Sequence, residues 1–141
     1  DGYVLEYSPD AGDWWRKAAV RLHQGRLMMF DYGLEVAELL RPERTRGTLR
    51  AYSSHRSSAD VLASPGEQDL TAHVNLTLSI REGEAAGLVT ETLTTQSRFL
   101  TGLLSRVDSN ELDAEDLRQV KTLIHPDHLG SSFKVLVQRT P

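Results

Sequence analysis

Apolar positions along the chain recur with two different periods, and the period changes where capping and turn residues stand. Ala11, Trp14, Trp15, Ala18, Ala19 and Leu22 follow helical spacing. Ser8 as N-cap, Pro9 at the first helical position, and Asp10 and Asp13 near the positive end of the macrodipole predict a helix over 9–24, with Gly25 as its left-handed stop. The fit of both tryptophans to the stripe favours core packing over a stacking platform. Leu27-Met28-Met29-Phe30 is an unbroken apolar run, which predicts a strand buried on both faces, as in the middle of a parallel sheet. Asn75 caps a helix through Ala86, and Gly87 stops it. Leu88 to Thr94 reads as a strand rich in β-branched residues. Thr95 caps a helix carrying Phe99, Leu100, Leu103 and Leu104; Asp113 caps another carrying Leu117, Val120 and Ile124, which Pro126 ends. Phe133 to Gln138 closes the chain as a strand alternating Phe133, Val135 and Val137 against Lys134 and Gln138.

Helices alternating with strands predict an α/β layered sheet. Between Gly33 and Val74 neither period is sustained. Structureless connections beyond about 12–15 residues are usually lids, binding loops or disorder, and Leu39, Leu40, Leu49, Tyr52, Val61 and Leu62 argue against disorder. With 141 residues and 39% hydrophobic content, the chain is long enough for one domain with its own core. Sixteen Lys and Arg against 20 Asp and Glu give a formal net charge of −4, so the molecule as a whole is not an electrostatic trap for nucleic acid or anionic membrane. The absence of cysteine removes disulfides, thiolate metal sites and cysteine nucleophiles. Apolar runs fall far short of the ~20 residues of a membrane span. Asp1-Gly2-Tyr3 has no initiator Met and no signal-peptide pattern, and three strands are few for an independent sheet, so a fragment of a longer chain is expected.

Three clusters carry candidate chemistry. Asp31 ends the first strand, where ligands bind in open α/β sheets; a mere turn cap is the equal alternative. Arg41, Arg44, Arg46, Arg50 and Arg56 oppose only Glu43 locally, with Tyr52 and His55 interleaved. Such a loop could contact phosphates or RNA, although guanidiniums on an acidic protein more often pair with its own carboxylates. Asp69 and His73, four apart before a helix start, could form an acid/base pair if the segment is turned, with Asp69 fixing the imidazole tautomer; capping or packing is the ordinary role of such a His. His125, Asp127 and His128 are not expected to hold a metal, because Pro126 breaks the helix that would align them. The GEAAG run at 83–87 lies in a helix before a strand, the reverse of a dinucleotide-binding context.

Taken in order, LMMFDYG, ELLRPERTRGTLRAYSSHR, PGEQDLTAHVN, AAGL with TTQSRFL, and IHPDHLGSSFKVLV resemble the carboxyl-terminal half of the MidA-like S-adenosylmethionine-dependent methyltransferases. That family includes the mitochondrial complex I assembly factor that acts as a protein arginine methyltransferase. The resemblance runs from Gly2 to Gln138. It implies the carboxyl-terminal part of a class I, Rossmann-like methyltransferase sheet, with flanking helices and a long insert or lid, residues 33–74, after the first strand present. Leu27–Asp31, Leu88–Thr94 and Phe133–Gln138 would be its fifth, sixth and seventh strands, the last one antiparallel. The glycine-rich turn and ribose-binding acid that hold S-adenosyl-L-methionine in such folds are absent from this sequence, so the chain by itself is expected to be inactive.

The resemblance further implies a protein substrate, arginine as target, and a link to respiratory complex assembly. On that map Asp31, Asp69 and His73 are the catalytic candidates. Tyr32, Gly33, Thr48, Arg50, Tyr52, His55, Arg56, Gln68 and Gln96 are the substrate-side candidates. No metal and no membrane span are expected, nucleic acid is not the expected partner, and an open sheet edge beside Leu27 predicts self-association. The compartment would be cytoplasmic in a bacterium and mitochondrial in a eukaryote. The alternative is a non-enzymatic binding or scaffold module that grips RNA or a partner protein through residues 41–56.

Overall fold

The computed structural model describes residues 2–53, 56–58, 60–107 and 112–141. The chain runs α1 (Pro9–Arg21), β1 (Arg26–Leu34), α2 (Val36–Leu39), a short 3-10 turn at Pro42–Arg44, β2 (Arg50–Ser53), β3 (Arg56–Ser58), β4 (Asp69–Thr71), β5 (Val74–Asn75), α3 (Leu76–Ala85), β6 (Val89–Thr95), α4 (Gln96–Leu104), α5 (Ala114–Ile124), a wide helical turn at Pro126–Gly130 and β7 (Phe133–Arg139). The main sheet has the order β5-β1-β7-β6 and a small second sheet the order β3-β2-β4.

β7 is antiparallel to both neighbours: Arg26 to Tyr32 pair with Arg139 to Phe133 on one side, and β6 pairs on the other with a bulge between Thr90 and Thr92. β5 extends β1 in parallel only at its end, Gly33 with Val74 and Leu34 with Asn75. α1 packs on α3, and α3 covers one face of the sheet. There Trp15 Nε1–H donates to Gln138 Oε1 (2.7 Å), and Gln138 Nε2 donates to Ile80 O (3.0 Å) and Thr90 Oγ1 (2.9 Å). Alternation sends Phe30 to the opposite face, where its ring meets Phe99 of α4 edge-on at 5.5 Å.

Three helix caps work as the sequence predicts, Asn75, Thr95 and Asp113 each accepting from backbone N–H groups of the first turn, whereas Ser8 stands at the N-cap position of α1 without a side-chain capping bond. Four further expectations need correction. α1 stops at Arg21, with Leu22 already extended, so Gly25 (φ +131°) begins the strand rather than ending the helix. Only Trp15 joins the core, at 3% exposed; Trp14 is 64% exposed. β1 is not the doubly buried parallel strand: Met28 and Phe30 stay half exposed. The strand buried on both faces is instead the antiparallel β7, whose Val135, Leu136, Val137 and Gln138 are all buried; β7 and not β1 is the central strand with a full-length neighbour on each edge. Finally, the aperiodic stretch after β1 is structured, with the short helix α2 and four strands of two to four residues, each too short to display a period.

Residues 3–6 lace this segment to the body. The Tyr3 hydroxyl donates to Leu39 O (2.8 Å) and Val4 N donates to Thr45 O (2.9 Å). No helix among the described residues is long and apolar enough to cross a membrane.

Candidate active site

Near its end β1 carries a glycine in close contact with the start of α3. A Cβ on Gly33 would lie 2.7 Å from the Leu76 side chain, so Gly33 seats the start of α3 against the strand end. Just before it, Tyr32 leans on Phe133, ring centroids 4.2 Å apart, and faces the His73 ring edge-on at 6.3 Å. The β2–β4 ladder sets Arg50 opposite Thr71 and Tyr52 opposite Asp69. A two-residue period then turns Arg50 and Tyr52 to one side, while Ala51 between them is fully buried.

These pieces enclose a cavity of about 600 Å³ lined by Tyr32, Thr48, Arg50, Tyr52, Asp69 and His73. All six are residues singled out from the sequence. Thr71, Ala72 and Ser132 complete the lining; their small polar or neutral character gave no signal of its own. A larger cleft of about 800 Å³ runs along α4 over Met28, Leu93, Phe99 and Val137. Its rim charges include the Arg26–Glu91 pair, bidentate at 2.6 and 2.9 Å.

Thr48 is the polar centre of the wall, 5% exposed. Its hydroxyl donates to Glu6 Oε2 (3.0 Å) and accepts from His73 N (3.0 Å). Glu6 also accepts from the backbone N–H groups of Thr48 (2.8 Å) and Leu49 (2.9 Å). Partial burial acts to raise the Glu6 pKa, but the N–H groups of Thr48 and Leu49 and the Thr48 hydroxyl together hold it below the ordinary carboxylate value. Arg50 is turned inward, its guanidinium donating to Leu49 O (2.6 Å). The His73 pKa is lowered, first by burial and then by the charges of Arg44 and Arg50, against opposing pulls from Glu6 and Asp31. The imidazole is therefore neutral at pH 7 and able to accept a proton.

The other candidates stand outside the lining. Asp31 neither ends the strand nor caps a turn: it lies inside β1 opposite Lys134, because the strand continues to Leu34, its Oδ1 accepts from Tyr32 N (2.7 Å), and it reaches His73 only through its charge. Gln68 Nε2 donates to Val61 O (2.8 Å) and pins the loop before β4. Gln96 is buried, and its Nε2 donates to Leu123 O (2.9 Å), tying α4 to the end of α5. Arg56 is exposed on the outer strand β3, and His55 lies outside the described residues. Asp69 and His73 share the cavity, but Asp69 is on an extended strand, not a turn, and no hydrogen bond joins the two among the described residues. Nor does any of Arg41, Arg44, Arg46, Arg50 and Arg56 form an ion pair among the described residues, so the expected pairing with the protein's own carboxylates is not observed.

An α/β sheet with an antiparallel central strand thus carries, at the end of β1, a cavity lined by aromatic, acidic and imidazole groups. Residues 1–94 match the model of a family described as "Putative S-adenosyl-L-methionine-dependent methyltransferase", and the chain belongs to that family. It is also similar to the crystal structure of a COG1565 superfamily member from Burkholderia thailandensis bound to S-adenosyl-homocysteine. Identity is 31% and the TM-score 0.84, over 99% of this chain and 38% of that one. A native crystal structure of an uncharacterized ACR, COG1565 superfamily protein from the same organism gives 31% identity and a TM-score of 0.84, over 99% and 39%. The chain thus spans less than two fifths of the length of these solved relatives. No curated protein matches it.

Proposed function

We propose that this chain forms the acceptor side of an S-adenosyl-L-methionine-dependent methyltransferase that modifies a protein side chain, with arginine as the target. The observation that carries the reading is the cavity itself, which Tyr32, Tyr52, Asp69 and His73 line together. A guanidinium stays protonated near neutrality. A carboxylate can orient it through paired hydrogen bonds, and aromatic faces favour its charge. The acceptor nitrogen must give up a proton, and His73 is the base at hand.

Among the described residues the end of β1 does not make a cradle for the methyl donor. The glycine at the end of β1, Gly33, is filled by Leu76, and α2 after it is one turn long. When bound, S-adenosyl-L-methionine would supply an electrophilic methyl group, held by residues other than these. The antiparallel β7 between β1 and β6 supports assignment to the carboxyl-terminal part of a class I methyltransferase sheet, with residues 33–74 as its lid. The MidA-like assignment and the link to respiratory complex assembly are supported by the sequence resemblance alone.

The test is a calorimetric titration of S-adenosyl-homocysteine into the full-length protein and into this chain, followed by mass spectrometry for methylarginine in cells with and without the gene. Binding to the longer protein and methylarginine lost on deletion are expected. No binding by either would overturn the reading in favour of a scaffold or partner-binding role.

A further inference from the structure

We infer that Glu6 is the positioning residue of the acceptor cavity, fixing the His73 wall through the Thr48 hydroxyl; this rests on the reading of that cavity as the acceptor site. Glu6 itself is absent from the cavity lining. Its carboxylate takes four contacts from two residues: Thr48 N at 2.8 and 2.9 Å, Thr48 Oγ1 at 3.0 Å and Leu49 N at 2.9 Å. An ionised carboxylate only accepts, and a hydroxyl has one proton. The Thr48 proton must therefore point at Glu6, which leaves its lone pair for His73 N at 3.0 Å. The relay has one direction, from the His73 amide through Thr48 to Glu6. The loop is shaped around the carboxylate: Gly47 has φ +63°, and a Cβ there would collide with Glu6 Oε1. Gly47, Thr48 and Glu6 thus form one device that places the backbone of His73, and with it the imidazole facing Tyr32.

Amide hydrogen exchange on the full-length protein tests the relay. Glu6→Gln puts a donor where Thr48 and Leu49 need an acceptor. It should speed exchange of the Thr48, Leu49 and His73 amides at least about tenfold, with α1, α3 and β7 amides unchanged. Thr48→Val should release the His73 amide while Leu49 stays protected, and Thr48→Ser should restore protection at His73. Unchanged protection at His73 in Glu6→Gln, or Val and Ser variants that behave alike, would overturn the relay. An equal rise across all elements would make Glu6 a global stabiliser and overturn it too. S-adenosyl-homocysteine binding to the wild-type protein, measured in parallel, judges the reading of the site separately from the relay.

Discussion

Asp69 and His73 sit in different settings: Asp69 is on the exposed strand β4, and His73 is half-buried, with its pKa lowered first by that burial. On the proposed reading, Asp69→Asn removes the charge that would orient a cationic acceptor and keeps the shape. In the full-length protein methyl transfer should fall by about a hundredfold or more, with S-adenosyl-homocysteine affinity held; retained turnover would remove Asp69 from the mechanism. For His73 the folded pKa lies below the ordinary 6.5, through burial first and then Arg44 and Arg50. The unfolded chain therefore binds more protons as the pH drops below about 6.5, and the stability contributed by the neutral ring, full above that value, is lost on further acidification. An NMR titration of the His73 ring should give a midpoint below 6.5, and Arg50→Met should raise it. A wild-type midpoint at or above 6.5 would show that the positive field and burial do not reach the ring. The six lining residues were legible because they are the types that bind or titrate; Glu6 was not, since its role depends on a contact 42 residues away in sequence.

Among the elements, α1, α3 and β7 are fastened by a single buried amide. Gln138 is fully buried, accepts from Trp15 Nε1–H and donates to Ile80 O and Thr90 Oγ1. Gln138→Leu would leave the buried Trp15 N–H without its partner, at a cost of about 1–3 kcal/mol. Urea unfolding followed by tryptophan fluorescence checks it, and a loss below about 1 kcal/mol would mean that the network is replaceable by packing. Gly83→Ala should cost about 1–3 kcal/mol by overpacking, because its Cβ would enter the Gln138 side chain. Caps were readable because cap chemistry is local: Asn75, Thr95 and Asp113 each satisfy N–H groups within three residues. Strand burial was not, since whether Leu27 to Phe30 is covered depends on which strands flank it. The polar Gln138 looked like a surface position in an alternating strand, yet it is the interior fastener.

Across the whole molecule the length of the 33–74 segment made it a candidate lid or binding loop, while its small sheet stayed hidden in strands too short to carry a pattern. The main sheet raises a different question at its edge. Among the described residues no strand pairs with Arg26 to Tyr32 on the side of β1 away from β7, so a row of backbone N–H and C=O groups is open there. Met28 and Phe30 on the same strand are 44% and 41% exposed. An open edge with apolar flanks templates pairing with another chain, and a charge on such a strand opposes it. The 141-residue chain should therefore self-associate, with a sedimentation coefficient that rises with concentration, and Met28→Lys should shift it toward monomer. The helix-covered face offers no such surface, so a substitution at exposed Trp14 on α1 should leave the association unchanged. A chain that stays monomeric at high concentration would mean that the β1 edge is blunted by its own twist, and would overturn the sheet edge as a source of self-association of this chain.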